Sequence, residues 1–283
     1  MLKMKDKIIE LKNVYFKYPQ AQDYTLNDIS LEISKGEFIA LLGSNGSGKS
    51  TFSKLLNSIF LPEKGQVIID GLDTSSPDNT VAIRKKIGIV FQNPDNQIIA
   101  NLVEDDVAFA LENEGVERDI ICQRIDSALE QVGMSDYKKK DISKLSGGQK
   151  QKVAIAGILA SSVNCIIFDE STSMLDPQAR KEVIKVMKQL NEIGITIILI
   201  THYMEEAAHA DRVIILNNGK IEMDNTPEVV FGDIEKIKKY GLEIPVVIDF
   251  VNKLRENGIP IKQNVLLEED CINTLDKLCT KYD

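Results

Sequence analysis

Cysteine is scarce in this 283-residue chain, and its four copies, Cys122, Cys165, Cys271 and Cys279, form no C-x-x-C pair and no zinc spacing. Disulfides and structural metal are therefore not expected to organise the fold; reduced thiols are, with Cys165 as small core filler at the head of an apolar run. A basic excess is missing too. Lys and Arg number 34 against 43 Asp and Glu, and the formal net charge of −9 argues against a general nucleic-acid surface. No stretch reaches the ~18 consecutive apolar residues of a membrane span. The longest candidate, "GITIILI" at 194–200, is strand-sized, so contact with a membrane would have to come through a partner. "MLKMKDKIIELK" at the start holds no apolar segment of the export-signal kind, and no such signal is expected. Repeats and low-complexity segments are also absent.

What is present is ordinary for a chain that buries a core: 43% hydrophobic and 27% charged residues. The length suits one large domain with a small appendage, or two modest domains. "IIELKNVYF" and "LNDISLEI" read as strands with one exposed face, and "EFIALLG" as a buried strand. "STFSKLLNSIF" has helical spacing, "GQVIIDG" is a strand, and "KKIGIVFQ" is a buried strand ending at Gln92. Two amphipathic helices, "EDDVAFALENEG" and "RDIICQRIDSALEQVG", then interrupt the pattern. Alternation resumes with "NCIIFDE", a helix from "DPQARKEVIKVMKQLNEIG", the strand "ITIILITH" and a short helix "YMEEAAHA". Asn217-Asn218-Gly219 signals a hairpin, and Thr226-Pro227-Glu228 reads as a helix N-cap, a proline at the first helical position and an acid in the first turn. The tail adds two more amphipathic stretches, "PVVIDFVNKLRENG" and "NVLLEEDCINTLDKLC". Buried strands alternating with helices point to an α/β sheet with a helical insert and a small C-terminal addition.

Three segments carry chemistry. "GSNGSGKST", Gly43 to Thr51, fits G-x-x-x-x-G-K-[ST] between a strand and a helix. A chance match arises in roughly one chain in a hundred of this length, and the flanking strand and helix remove most of those. Its glycines let N–H groups curl round a phosphate, Lys49 reaches the β- and γ-phosphates, and the Ser50 hydroxyl is placed for Mg²⁺. "CIIFDE" ends a buried strand in two acids: Asp169 suits a magnesium role and Glu170 the polarising of an attacking water. His202 ends another strand, where it could bond a γ-phosphate, although a lone histidine stands there more often for packing. His209 reads as a solvated or packing residue. "KLSGGQKQKVAIA", Lys144 to Ala156, opens a helix with a serine and two glycines, which makes a second anion site in a chain that already has one.

From residue 8 to about 225, in order, these motifs resemble the nucleotide-binding subunit of an ABC transporter. The resemblance implies a P-loop NTPase core with an antiparallel β subdomain. It further implies an ATP-binding domain over 1–225, a helical subdomain over about 93–160 and a C-terminal extension over 226–283 that helps join two ATPases. Gly43, Ser44, Asn45, Gly46, Ser47, Gly48, Lys49, Ser50 and Thr51 match Walker A. Tyr18 matches the aromatic that stacks on adenine, although an ordinary strand-end tyrosine would look the same. Gln92 matches the Q-loop glutamine that touches Mg²⁺, and Asp169 with Glu170 the Walker B acids. "LSGGQ", with Ser146, Gly147, Gly148 and Gln149, matches the family signature; Ser173 to Asp176 match the D-loop, and His202 the switch histidine. In such proteins two ATPases meet head-to-tail, and each nucleotide lies between Walker A of one and the signature of the other. That would explain the second anion site.

"VFQNPDNQ" and "DESTSMLDP" are similar to the A-type ATPases of energy-coupling-factor importers for vitamins, cobalt or nickel, and to the first of their paired A subunits. The expected cofactors are ATP and Mg²⁺. The expected partners are a second A-type ATPase (a heterodimer favoured over a homodimer), a transmembrane coupling subunit and a substrate-binding membrane component. The expected location is the cytoplasmic face of the membrane. Another ABC transporter, or a non-transport ABC ATPase acting on ribosomes or DNA, is the alternative. The chain has one cassette and no long coiled coil, and it keeps the residues that inactive sites lose. An energising subunit of this kind does not touch the cargo, which a separate membrane component would select.

Overall fold

Two β-sheets frame the protein in the computed structural model, which describes residues 6–259, 261 and 265–279. Along the chain the strands are β1 (Lys7–Phe16), β2 (Leu26–Ser34), β3 (Phe38–Leu42), β4 (Lys64–Ile69), β5 (Leu72–Asp73), β6 (Ile87–Val90), β7 (Cys165–Asp169), β8 (Thr196–Ile200), β9 (Arg212–Asn217) and β10 (Lys220–Asn225). A six-stranded sheet runs β10-β9-β3-β8-β7-β6, and a four-stranded antiparallel sheet runs β2-β1-β4-β5. In the larger sheet only β10 is antiparallel, joined to β9 across Asn218 and Gly219, both at positive φ as a two-residue hairpin turn requires.

The central strands are apolar without a break because both of their faces are covered. Ala40, Leu42, Ile166, Phe168, Ile197 and Leu199 point into one core. Ile39, Leu41, Cys165, Ile167, Ile198 and Ile200 point into the other. This is the period of two expected of a strand. Each fully buried Ile, Leu or Phe contributes roughly 1.5–3 kcal/mol relative to exposure.

The helices are α1 (Lys49–Leu56), α2 (Thr80–Arg84), α3 (Val103–Asn113), α4 (Arg118–Gln131), α5 (Gly147–Ala160), α6 (Pro177–Glu192), α7 (Met204–Ala207), α8 (Pro227–Gly232), α9 (Ile234–Lys239), α10 (Val246–Glu256) and α11 (Glu268–Cys279). The four-stranded sheet and Phe52, Leu55 and Leu56 of α1 fill the second core. Val107, Leu111, Ile125, Leu129 and Val153 of α3, α4 and α5 join the first, together with Val183 and Met187 of α6. Val251, Ile261, Val265 and Cys271 form a small third cluster where α10 meets α11. No helix among the described residues is long and apolar enough to cross a membrane.

Two local expectations change. The strand expected to reach Gln92 stops at Val90, because Phe91 is drawn out of the ladder: its N–H donates to Gln97 Oε1 (3.2 Å) and its carbonyl accepts from Gln151 Nε2 (3.3 Å). Thr226 does precede the first turn of α8, but its hydroxyl caps nothing, and α8 ends after six residues. Cys122, Cys165 and Cys271 are free thiols, and burial pushes the Cys165 thiol up. The Cys279 side chain, and residues 280–283 of the expected tail, lie outside the described residues.

Candidate functional site

Parallel register brings four loops to one edge of the larger sheet. Leu41 of β3 and Asp169 of β7 both pair with Ile200 of β8, and Phe168 pairs with Val90 of β6. The chain leaves all four strands at one level, carrying Gly43–Thr51, Glu170, His202 and Gln92 over their carboxyl ends. That is where open α/β sheets place ligands.

Gly48 precedes α1 with φ 109° and offers no side chain to the first-turn N–H groups. These donors, with the positive end of the helix dipole, suit an anion. A Cβ added at 48 would lie 2.8 Å from Leu26 Cδ2 and 2.9 Å from Thr25 O. Gly48→Ala therefore combines a left-handed backbone with a clash, and is expected to weaken ATP binding at least about tenfold in equilibrium titration. Unchanged affinity would show that the loop adapts.

Lys49 is buried, and its Nζ donates to the carbonyls of Gly43 (2.8 Å) and Ser44 (3.1 Å), 3.9 Å from Glu170 Oε1. Burial pushes its pKa down, against the pull of Glu170 and Asp169. An ammonium so short of water gains from an anionic partner. The Ser47 hydroxyl beside it is buried with no bonding partner among the described residues. Asp169 is buried too, its Oδ1 accepting from Ser50 Oγ (3.3 Å) and its Oδ2 from Ser53 Oγ (2.9 Å). Burial raises its pKa and the two hydroxyls oppose the rise. Ser50 and Asp169 thus present a few oxygen donors of the kind magnesium takes, with phosphate and water supplying the rest.

Glu170 has φ 51°, unusual for a residue with a side chain and costing roughly 1–2 kcal/mol. Its N–H donates to Ile200 O (2.9 Å), and its carbonyl accepts from the N–H (3.1 Å) and hydroxyl (2.8 Å) of Ser173. Gln92 Nε2 donates to that same hydroxyl at 3.0 Å, which ties the glutamine to the acid's backbone. At the rim, the Tyr18 hydroxyl lies 3.0 Å from Thr51 Oγ1, and its ring stands edge-on to Phe16 and Phe60. His202 is exposed, with its ring 4.2 Å from that of Tyr203.

The second predicted group lies apart. Ser146 caps α5: its hydroxyl accepts from Gln149 N (3.3 Å), and Gln149 Oε1 accepts from Ser146 N (2.9 Å). The Gln149 side chain is therefore occupied in a capping box. Gly148 packs so closely on α6 that a Cβ there would sit 2.7 Å from Ala179 Cβ. Asp176 caps α6 by accepting from Gln178 N and Ala179 N. Among the described residues no hydrogen bond or ion pair joins 144–150 to 43–51; Lys150 instead pairs with Asp95 (2.7 Å) in the segment after Gln92. Sequence reasoning missed Ser53, whose signal was its place three residues after Ser50 on one helix face, and the linking role of Ser173.

The ABC transporter family model matches residues 26–173. The chain is 48% identical to the energy-coupling factor transporter ATP-binding protein EcfA1 of Clostridium novyi, over 97% of this chain and 100% of the relative. To EcfA1 of Clostridioides difficile it is 46% identical, over 96% and 100% respectively. Among solved structures, cbiO1 from Clostridium perfringens, part of the ABC transporter complex cbiONQ, matches with a TM-score of 0.78 at 35% identity, covering 89% of this chain and 100% of that one. The ATP-binding cassette MJ0796, solved as a dimer in a post-hydrolysis state bound to ADP and Pi, matches at 0.69 and 31%, covering 78% and 99%. The chain thus belongs to the ABC transporter family, as an ATP-binding protein of the energy-coupling factor type that couples ATP hydrolysis to import.

Proposed function

We propose that the protein works as one of two paired ATPases that share two nucleotides, each held by Gly43–Thr51 of one chain and Ser146–Gly148 of the other. The observation that carries this reading is that an exposed helix start with phosphate-binding character makes no hydrogen bond, among the described residues, to the phosphate loop of its own chain. Tyr18 stacks on adenine, and Lys49 exchanges its contact with Glu170 for the β- and γ-phosphates. Ser50, Asp169 and Gln92 would hold Mg²⁺, which when bound supplies charge neutralisation on the phosphates. Glu170 takes a proton from the attacking water, His202 bonds the γ-phosphate, and Asp176 stands at the seam beside the partner's site. The pairing is a heterodimer with a second A-type ATPase, in which residues 226–283 help hold the two chains together. The pair sits against the cytoplasmic face of the membrane, docked on a transmembrane coupling subunit that works with a separate substrate-binding component for a vitamin or a transition-metal ion.

The segment after Gln92 is the docking face in this reading. Ile99 is 64% exposed and Leu102 36%, whereas Val103 is fully buried and Ile98 packs on the core. Asp106 Oδ1 accepts from the N–H groups of Ile99 (2.7 Å) and Ala100 (3.1 Å) and fixes the backbone that carries Ile99. Ile99→Asp is expected to cut co-purification with the coupling subunit at least about tenfold while ATP binding stays within about twofold. Loss of ATP binding instead would mean that this segment serves core packing, and an intact assembly would place the docking face elsewhere.

A further inference from the structure

Behind His202 lies a cluster of charged and aromatic groups that the reaction scheme above leaves unused. Glu206, in α7, is 3% exposed, and few carboxylates are buried so deeply without a task. Its Oε2 accepts from Thr201 Oγ1 at 2.5 Å, and the same Thr201 oxygen accepts from the N–H of Tyr203 at 3.0 Å. The turn that presents His202 is thus closed around one hydroxyl, with Glu206 behind it. Burial raises the carboxyl pKa, and the hydroxyls of Thr201 and Thr172, followed by the Arg180 guanidinium, counter the rise.

Arg180 reaches this turn from α6. Its guanidinium carbon lies 3.5 Å from the centre of the Tyr203 ring, and the Tyr203 ring lies 4.2 Å from that of His202. A stacked guanidinium on an aromatic face is both attractive and directional. Arg180 is also anchored to the first turn of α6, where its N–H donates to Asp176 O at 2.9 Å. The chain of contact therefore runs from the loop after Glu170, through the start of α6, to the ring beside His202.

One detail marks this chain of contact as adjustable. Arg180 Nε and Glu206 Oε1 are 3.6 Å apart, too far for a hydrogen bond, and neither buried atom has another hydrogen-bond partner among the described residues. Opposite charges left this way gain by closing, since a charge-assisted hydrogen bond is shorter. A displacement of α6 of less than about an ångström would close it.

We infer that Arg180, Tyr203 and Glu206 are positioning residues for His202, and that they transmit movement of the Ser173–Asp176 loop to the histidine ring. The inference rests on the reading of His202 as a contact to the γ-phosphate. It adds a route by which a partner arriving at Asp176 reaches the histidine of the same chain.

The test is a double-mutant cycle in the assembled, reconstituted transporter, reading kcat and KM for ATP alongside nucleotide binding and thermal unfolding of the isolated chain. Glu206→Gln and Arg180→Gln are each expected to lower kcat about tenfold and leave KM and binding within about twofold. Each combined with His202→Ala should cost no more than His202→Ala alone, because groups acting through one another are not additive. Losses that multiply, while His202→Ala is itself damaging, overturn the positioning role and leave the reading of His202 intact. His202→Ala with parental kcat overturns both. Glu206→Gln places an amide in a buried site, and if it unfolds, Arg180→Gln carries the cycle alone: its side chain is 24% exposed and sits at the edge of the cluster. A merely structural role would show as a lowered melting temperature and weaker binding with no dependence on His202.

Discussion

Glu170→Gln is expected to bind ATP as the parent does and to hydrolyse it at least about 100-fold more slowly, the usual contribution of a positioned general base. The carboxylate is 23% exposed and stands at the mouth of the loop beside Lys49. The amide keeps its size and the backbone bonds to Ile200 and Ser173, neither of which involves the side chain. What is lost is the basic oxygen that orients water. Since bound ATP then persists, the variant should accumulate as a closed ATP-bound dimer, visible by size-exclusion chromatography with ATP and absent with ADP. Turnover within about twofold of the parent would remove Glu170 from the base role.

The second large effect separates the two halves of the composite site. Lys49→Ala deletes a charge-assisted contact of about 1.5–3 kcal/mol, so the isolated chain should bind ATP about 10- to 150-fold more weakly. Ser146→Arg should leave that binding almost unchanged, because Ser146 is exposed and no hydrogen bond or ion pair among the described residues ties it to the phosphate loop. It should nevertheless abolish ATP-driven pairing by placing bulk and charge in the seam. With the two substitutions on opposite members of a pair, both defects fall in one composite site and the other stays whole. With both on one member, each site is damaged once. The first arrangement should retain more nucleotide at the interface; equal losses would mean that Ser146 serves the nucleotide of its own chain.

How far the sequence speaks for itself varies from element to element. β3, β7 and β8 are legible because strands covered on both faces are apolar throughout, and the loop after β3 is legible because phosphate geometry restricts it to glycines, a lysine and hydroxyls. The helix start at Ser146 is legible from its serine and two glycines, but the reciprocal cap between Ser146 and Gln149 appears only in the folded turn. The end of β6 is not legible, since one of the two side chains that draw Phe91 out of the ladder, Gln151, lies 60 residues away. The same holds for Ser173, which matters only once folding sets Gln92 beside it. The amphipathic tail could be read as helices. That α10 and α11 share a small cluster around Val251 and Cys271 depends on contacts which no local pattern encodes.

A hydroxyl has two characters, and in α5 only one is spoken for. Ser146 Oγ accepts the Gln149 N–H, an inward use of a lone pair that stabilises the helix by about 1 kcal/mol. As a donor, the same hydroxyl has no hydrogen-bond acceptor among the described residues. Phosphate oxygens only accept, so they ask this serine for what the cap leaves over. In the composite-site reading the helix keeps its cap while a nucleotide enters and leaves, and each cycle proceeds without fraying the first turn.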